Sequence, residues 1–194
     1  MVLVAEDGVF AGFLRIADTL KETAAEAVKT LKNKGYTTAI LTGDSAQTAE
    51  TVAAQTGVER VYAQLLPDEK LEKLRTIRQE TGAVMFVGDG INDAPVLAGA
   101  DVGAAMGSGA DAAIEAADVV FMTSDPAAIP EALDIAKKTL AVAWQNVVFA
   151  LAVKFLVMAL GLMGFASMWL AVFADSGVAM LCVLNSIRML YRKK

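Results

Sequence analysis

Apolar residues fall into two regimes along this chain. Up to about residue 122 they come in short runs separated by polar stretches, and beyond Thr139 they are nearly continuous. In the first regime, Val2–Ala5 and Val9–Arg15 flank Asp7-Gly8 and predict a β-hairpin or strand pair. Asp18 or Thr19 suits a helix N-cap, and Ala24, Ala27, Val28 and Leu31 then make an apolar stripe that Gly35 ends. Thr37–Leu41 reads as a strand running into Thr42-Gly43-Asp44-Ser45, followed by a helix that stops near Gly57. Arg60–Ala63 is a short strand, and Pro67 opens a helix with Lys70, Leu71, Leu74 and Ile77 at helical spacing. Val84–Val87 reads as a strand buried on both faces that enters the loop GDGINDAP, with Pro95 in the first turn of the next helix. Val102–Ala105 and Val119–Met122 are further strands, separated by Gly107-Ser108-Gly109 and a small-residue helix. This alternation predicts an α/β fold with a parallel sheet covered on both faces.

In the second regime, Asp125-Pro126 and Pro130 begin a helix that passes Lys137 and Lys138 and turns apolar from Leu140. Apolar segments of about 140–163 and 165–187 each exceed the roughly 20 residues that cross a bilayer. Basic residues flank their outer ends, including Arg188, Arg192, Lys193 and Lys194, and the turn Gly161–Ser167 carries no charge. The positive-inside rule makes this a hairpin with both chain ends in the cytoplasm. Trp144 and Trp169 suit the membrane interfaces. The other reading, two buried core helices, asks a small domain to bury two long apolar segments. The expected division is therefore 1–136 as an α/β domain and 137–194 as a transmembrane hairpin.

Composition agrees with that division. Hydrophobic residues make up 56% of 194, and the mean hydropathy is +0.50, high for a water-exposed domain. The net charge of −5 resolves into −9 over residues 1–138 and +4 over 139–194. One cysteine, Cys182, and no histidine exclude an internal disulfide and any thiolate or imidazole metal cluster in the first part, which points to a reducing compartment. The N-terminal run lacks the basic flank and long apolar core of a signal peptide, and the acidic balance argues against nucleic acid as a partner.

The chemistry gathers at strand ends. In an open parallel sheet ligands bind beyond the carboxyl ends of the strands, so residues distant in sequence meet there. The Thr42 hydroxyl and Gly43 amide are donors for phosphate oxygens, Asp44 follows them, and Lys70 is a point charge for the same group. Asp89 is placed to hold a hard cation, with Asn92 and Asp93 orienting it and the phosphate. TGDS taken alone is also a helix cap, and GDG a tight turn. Both in this order, with Lys70 between, favour the site.

In the membrane part, Lys154 and Asp175 both lie roughly 15 Å from the turn, near the bilayer midplane. They pair either as a salt bridge that holds the hairpin, with Lys154 also able to snorkel, or as a cation ligand, Asp175, with Lys154 as its counterion. Cys182, Met158, Met163, Met168 and Met180 read as packing residues.

LTGDS, the PDEK lysine and VGDGINDAP resemble the phosphorylation domain of P-type ATPases, within the haloacid-dehalogenase superfamily. The terminal stretch KFLVMALGLMGFASMWLAVFADSGVAMLCVLNSIRML is similar to the last two membrane helices of the subclass exporting zinc, cadmium and lead. The resemblance implies magnesium at Asp89 and an aspartyl phosphate held by Thr42, Gly43 and Lys70, with Asn92 and Asp93 completing the site. It also implies ATP as the energy source, Asp175 as a transport ligand and Lys154 as its counterion. The Tyr-Asn pair and the Met with paired serines of copper exporters are absent, which favours zinc-type cargo. DKTGT with its phosphorylated aspartate, the nucleotide domain, the TGE loop and the Cys-Pro-Cys helix are absent too, and Ser45 stands where asparagine is commoner. The expected role is thus the C-terminal portion of a heavy-metal pump in a bacterial plasma membrane. Its partners are lipid, the divalent metal ion and the missing N-terminal part, and alone it has no ATP turnover. The alternatives are a non-catalytic membrane-anchored regulator or decayed remnant and, lacking an Asp-x-Asp motif, a free-standing phosphatase.

Overall fold

The computed structural model describes residues 2–14, 19–107, 111–165 and 167–190. Arg15, the Asp18 cap, Ser108-Gly109, Ala166 and the basic tail 191–194 lie outside them. The chain forms two compact units, Met1–Pro130 and Glu131–Lys194, against the expected boundary at 136/137.

In the first unit, β1 (Val2–Glu6) and β2 (Val9–Leu14) pair antiparallel. Asp7 and Gly8 both have positive φ, 50° and 78°, as the expected two-residue turn requires. Helix α1 (Ala24–Asn33) begins four or five residues later than the Asp18 or Thr19 cap predicts. Thr23 precedes it, but its side chain makes no capping bond. Its hydroxyl instead donates to Asp125 Oδ1 at 2.6 Å, and the Ala127 N–H donates to the same oxygen at 2.9 Å. These bonds, the Thr23 one foremost, hold the Asp125 carboxyl below the ordinary aspartate range.

Strand β3 (Ala39–Leu41), helix α2 (Ala46–Thr56), strand β4 (Arg60–Tyr62) and helix α3 (Pro67–Thr81) follow. Then come β5 (Met85–Gly88), a 3-10 turn Ile91–Asp93, α4 (Ala94–Gly99), β6 (Val102–Met106), α5 (Asp111–Ala116) and β7 (Val119–Phe121). All strands from β3 on are parallel, in the predicted order. They do not make one continuous sheet: among the described residues β3 pairs only with β4, and β5-β6-β7 form a second sheet. Ala104 and Ala105 point to opposite faces of β6 and both are fully buried, so that strand is covered on both sides. Val96, Leu97, Leu74 and Ile77 on α4 and α3 complete the core. The main chain of Leu97 packs against Gly103 of β6.

The second unit is a helical hairpin. Helix α6 (Ala128–Leu162) has 35 residues, about 52 Å at roughly 1.5 Å per residue. That exceeds a bilayer core of about 30 Å. A turn with Gly164 at φ 80° leads to α7 (Met168–Val172), a π turn Phe173–Gly177 and α8 (Val178–Ile187), a span of 20 residues. None of the most apolar 18-residue stretch of α6 is buried, and 11% of the corresponding stretch of the second span is. A pair of core helices would be buried, so these are helices long and apolar enough to cross a membrane, with their apolar faces outward.

Candidate functional site

The loop after β3 folds onto itself through its own polar groups. The Thr42 hydroxyl donates to Asp44 Oδ2 at 2.9 Å and accepts from the Asp44 N–H at 3.1 Å. Ser45 caps α2 by accepting from the Thr48 N–H. The Thr42 N–H donates to Tyr62 O at 3.0 Å at the end of the β3–β4 ladder, and beyond it the two loops are tied by the Leu65 N–H donating to Thr42 O at 3.0 Å and the Gln64 N–H to Asp44 O at 2.9 Å. These bonds fix the entry to α3, where the Glu69 carboxylate accepts the Leu66 N–H at 2.8 Å. Pro67 has no N–H and needs no such acceptor.

One turn into α3, Lys70 Nζ lies 2.8 Å from Asp93 Oδ1, each side chain 14% exposed. Asp93 reaches this position because the 3-10 turn brings its N–H to Gly90 O at 3.1 Å and its carboxylate across the end of β5. A Cβ on Gly88 would lie 2.9 Å from Asp93 Cβ and 3.0 Å from its Oδ2. Gly88 is the residue that lets the carboxylate approach the strand.

The structure thus brings Lys70 to Asp93 and ties the Thr42–Asp44 loop to the base of the same helix. It leaves Asp89 and Asn92 exposed, without a hydrogen bond or ion pair among the described residues. The Thr42 hydroxyl proton is committed to Asp44, so donating to a phosphate requires it to turn. Among the described residues no three acidic, histidine or cysteine side chains cluster. The oxygen set is Asp89, uncommitted, and Asp93 with Oδ1 held by lysine. That suits magnesium, which takes one or two carboxylates and fills the rest of its octahedron with water and phosphate oxygen.

In the hairpin, Lys154 Nζ and Asp175 Oδ1 are 3.3 Å apart, with side chains 59% and 77% exposed. The two charges meet on an outward flank, and Asp175 sits inside the π turn. Asn146, Asn185 and Ser186 form a second polar feature that a search for charges alone misses. Asn146 Nδ2 donates to Cys182 O at 3.2 Å and to Ser186 Oγ at 2.9 Å, and Asn185 Nδ2 donates to Asn146 Oδ1 at 2.8 Å. Cys182 is half-buried, its Sγ 3.7 Å from Asn146 O. The sequence signal was amides within an apolar run, where a polar side chain needs a partner.

Residues 2–101 match the family model of the haloacid dehalogenase-like hydrolases. The cadmium, zinc and cobalt-transporting ATPase of Bacillus subtilis is 50% identical over 198 residues, covering 100% of this chain and 28% of its own length. The zinc-transporting ATPase of Synechocystis is 49% identical over 97% of this chain and 27% of its own length. A crystal structure of a zinc-transporting PIB-type ATPase in the E2.Pi state superposes with a TM-score of 0.87 at 36% identity, covering 97% of this chain and 31% of that one. The chain spans just over a quarter of the length of the curated relatives it matches.

Proposed function

Since the chain belongs to the haloacid dehalogenase-like hydrolases, we propose that it is the C-terminal portion of a P-type ATPase that drives zinc, cadmium or lead out of a bacterial cytoplasm. The observation that carries this reading is the Lys154–Asp175 pair, exposed on the flank of an otherwise apolar hairpin. A charge at mid-bilayer costs roughly 2.5–3.5 kcal/mol on insertion scales, so an outward-facing pair calls for further helices to cover it. Asp175 is the oxygen ligand of the passing cation, and Lys154 neutralises it when the cation has left. Residues 1–138 and the C-terminus are cytoplasmic, by the charge asymmetry of the flanks.

In the first unit, magnesium supplies charge neutralisation for a phosphoryl group. Asp89 holds the ion. Lys70 keeps Asp93 in place and faces the same phosphate, and Thr42 with the Gly43 amide donates to its oxygens. The attacking aspartate comes from the remainder of the pump. Among the described residues strands β3 and β5 each have an unpaired edge, and each ends in a site loop. A parallel strand paired with both would deliver its own C-terminal carboxylate between Thr42 and Asp89.

Reconstitution tests this. The chain in lipid nanodiscs with magnesium and ATP is expected to show no turnover. Co-assembly with the preceding portion of the Bacillus subtilis relative is expected to give zinc- or cadmium-stimulated ATP hydrolysis through an acid-stable phosphoenzyme, lost in Asp175→Ala. ATP hydrolysis by the chain alone, or an assembled complex with no phosphoenzyme, overturns the reading.

A further inference from the structure

We propose that the π turn Phe173–Gly177 sets where the Asp175 carboxylate is presented, and that Phe173 and Gly177 are positioning residues for it. The inference deepens, and rests on, the reading of Asp175 as the carboxylate that meets the transported cation. Its first support is the turn's hydrogen bonding. The Val178 N–H donates to the Phe173 carbonyl, five residues back, where an α-helix would use the Ala174 carbonyl. One residue more than an α-turn holds is therefore accommodated in the segment that carries Asp175. Closing the turn to α register is a shift of one hydrogen bond, and it rotates the chain on the N-terminal side by about 100° relative to α8.

The second support is that α8 is not at liberty to make this rotation itself. Asn146 of α6 grips it through Cys182 O, Ser186 Oγ and Asn185, and Val178, 2% exposed, is packed at its start. Any change in the aim of Asp175 is therefore taken up in the turn. The third support is steric. The Phe173 ring lies over Gly177, where an added Cβ would stand 2.6 Å from Cδ2 and 2.9 Å from Cε2. Glycine at 177 is what allows the ring to seat, and the seated ring braces the two ends of the turn against each other. With the turn in this form, Asp175 Oδ1 is 3.3 Å from Lys154 Nζ. An ordinary helical glycine behaves differently, since replacing it with alanine favours the helix.

The test uses the whole 194-residue chain, labelled with nitrogen-15 and carbon-13, in lipid bilayers. The readout is the solid-state dipolar contact between Lys154 Nζ and Asp175 Cγ. Gly177→Ala is expected to abolish it while the side-chain amide signals of Asn146 and Asn185 stay in place. Phe173→Ala added to Gly177→Ala is expected to restore it, because the methyl no longer meets a ring. A contact that survives Gly177→Ala overturns the proposal. So does a loss that also moves the Asn146 and Asn185 signals, since the whole hairpin has then rearranged, and so does a failure of the second change to rescue. Cadmium added to the unsubstituted chain is a separate arm. An Asp175 carboxyl resonance unmoved by cadmium overturns its role as cation ligand, whatever the contact shows about the turn.

Discussion

Lys70 Nζ and Asp93 Oδ1 stand 2.8 Å apart with each side chain only 14% exposed, so each ion has given up most of its water for the other. Removing one leaves the other partly buried and unpaired. Lys70→Ala is expected to lower the opening free energy of the Val96 and Leu97 amides, just beyond Asp93, by about 1–3 kcal/mol. Native-state hydrogen exchange measures this, and unchanged protection there would show the pair to be energetically idle.

The approach of Asp93 to the end of β5 depends on the absence of a side chain at Gly88. Gly88→Ala places a methyl about where Asp93 Cβ, Cγ and Oδ2 already are, and the expected cost is about 1–3 kcal/mol, with loss of the Lys70–Asp93 contact. Gly90→Ala would leave 3.5 Å to Asp93 Oδ2 and is expected to keep it. Chemical shifts of the Lys70 ammonium in the two variants decide the matter.

Asp89 is the uncommitted carboxylate, so a cation should find it first. Manganese substituted for magnesium is expected to broaden the amide signals of residues 88–93 selectively. Asp89→Asn should abolish that broadening, and chelation should reverse it. Equal broadening around Asp44 and its neighbours would mean a diffuse acidic surface.

Asp125 titrates below the ordinary aspartate range because Thr23, first, and the Ala127 N–H bind its charged form. A depressed folded pKa adds stability above the unfolded value of about 3.9 and loses it as pH falls through the folded value. The contribution is thus complete at neutral pH and fades only in acid. Thr23→Val is expected to move the Asp125 carboxyl titration up toward the ordinary value and to shrink the acid loss of stability. The carbon-13 carboxyl shift against pH gives the outcome directly.

Asn146 makes three side-chain hydrogen bonds across the hairpin. Interhelical bonds in membranes are worth about 0.6 kcal/mol on average and up to about 2. Asn146→Ala is accordingly expected to weaken association of α6 with α8 by about 1–2 kcal/mol, read by unfolding from mixed micelles.

What could be read from the chain beforehand was whatever local chemistry decides. Asp7-Gly8 set the hairpin turn, Gly57 ended α2, Pro67 opened α3, and an apolar run followed by GDGINDAP placed the site loop. Lys154 and Asp175 lie at nearly equal residue counts from an uncharged turn, which pairs them. The start of α1 differs from the local signal: the Thr23 hydroxyl is engaged by Asp125, 102 residues away, and no local propensity carries that information. The division of the parallel strands into two sheets is likewise a matter of long-range pairing. Asn146 carries no charge to mark it in the sequence, although in hydrocarbon its need for partners is of the same kind. The π turn leaves only a phenylalanine four residues before a glycine as its trace.

The edges of β3 and β5, unpaired among the described residues, have a further consequence for this unit in isolation. An unpaired parallel edge is a row of amide donors and carbonyl acceptors that any extended peptide can join. Left alone at high concentration, this unit is therefore expected to pair with copies of itself and aggregate. In isolation its solubility depends on those edges being covered.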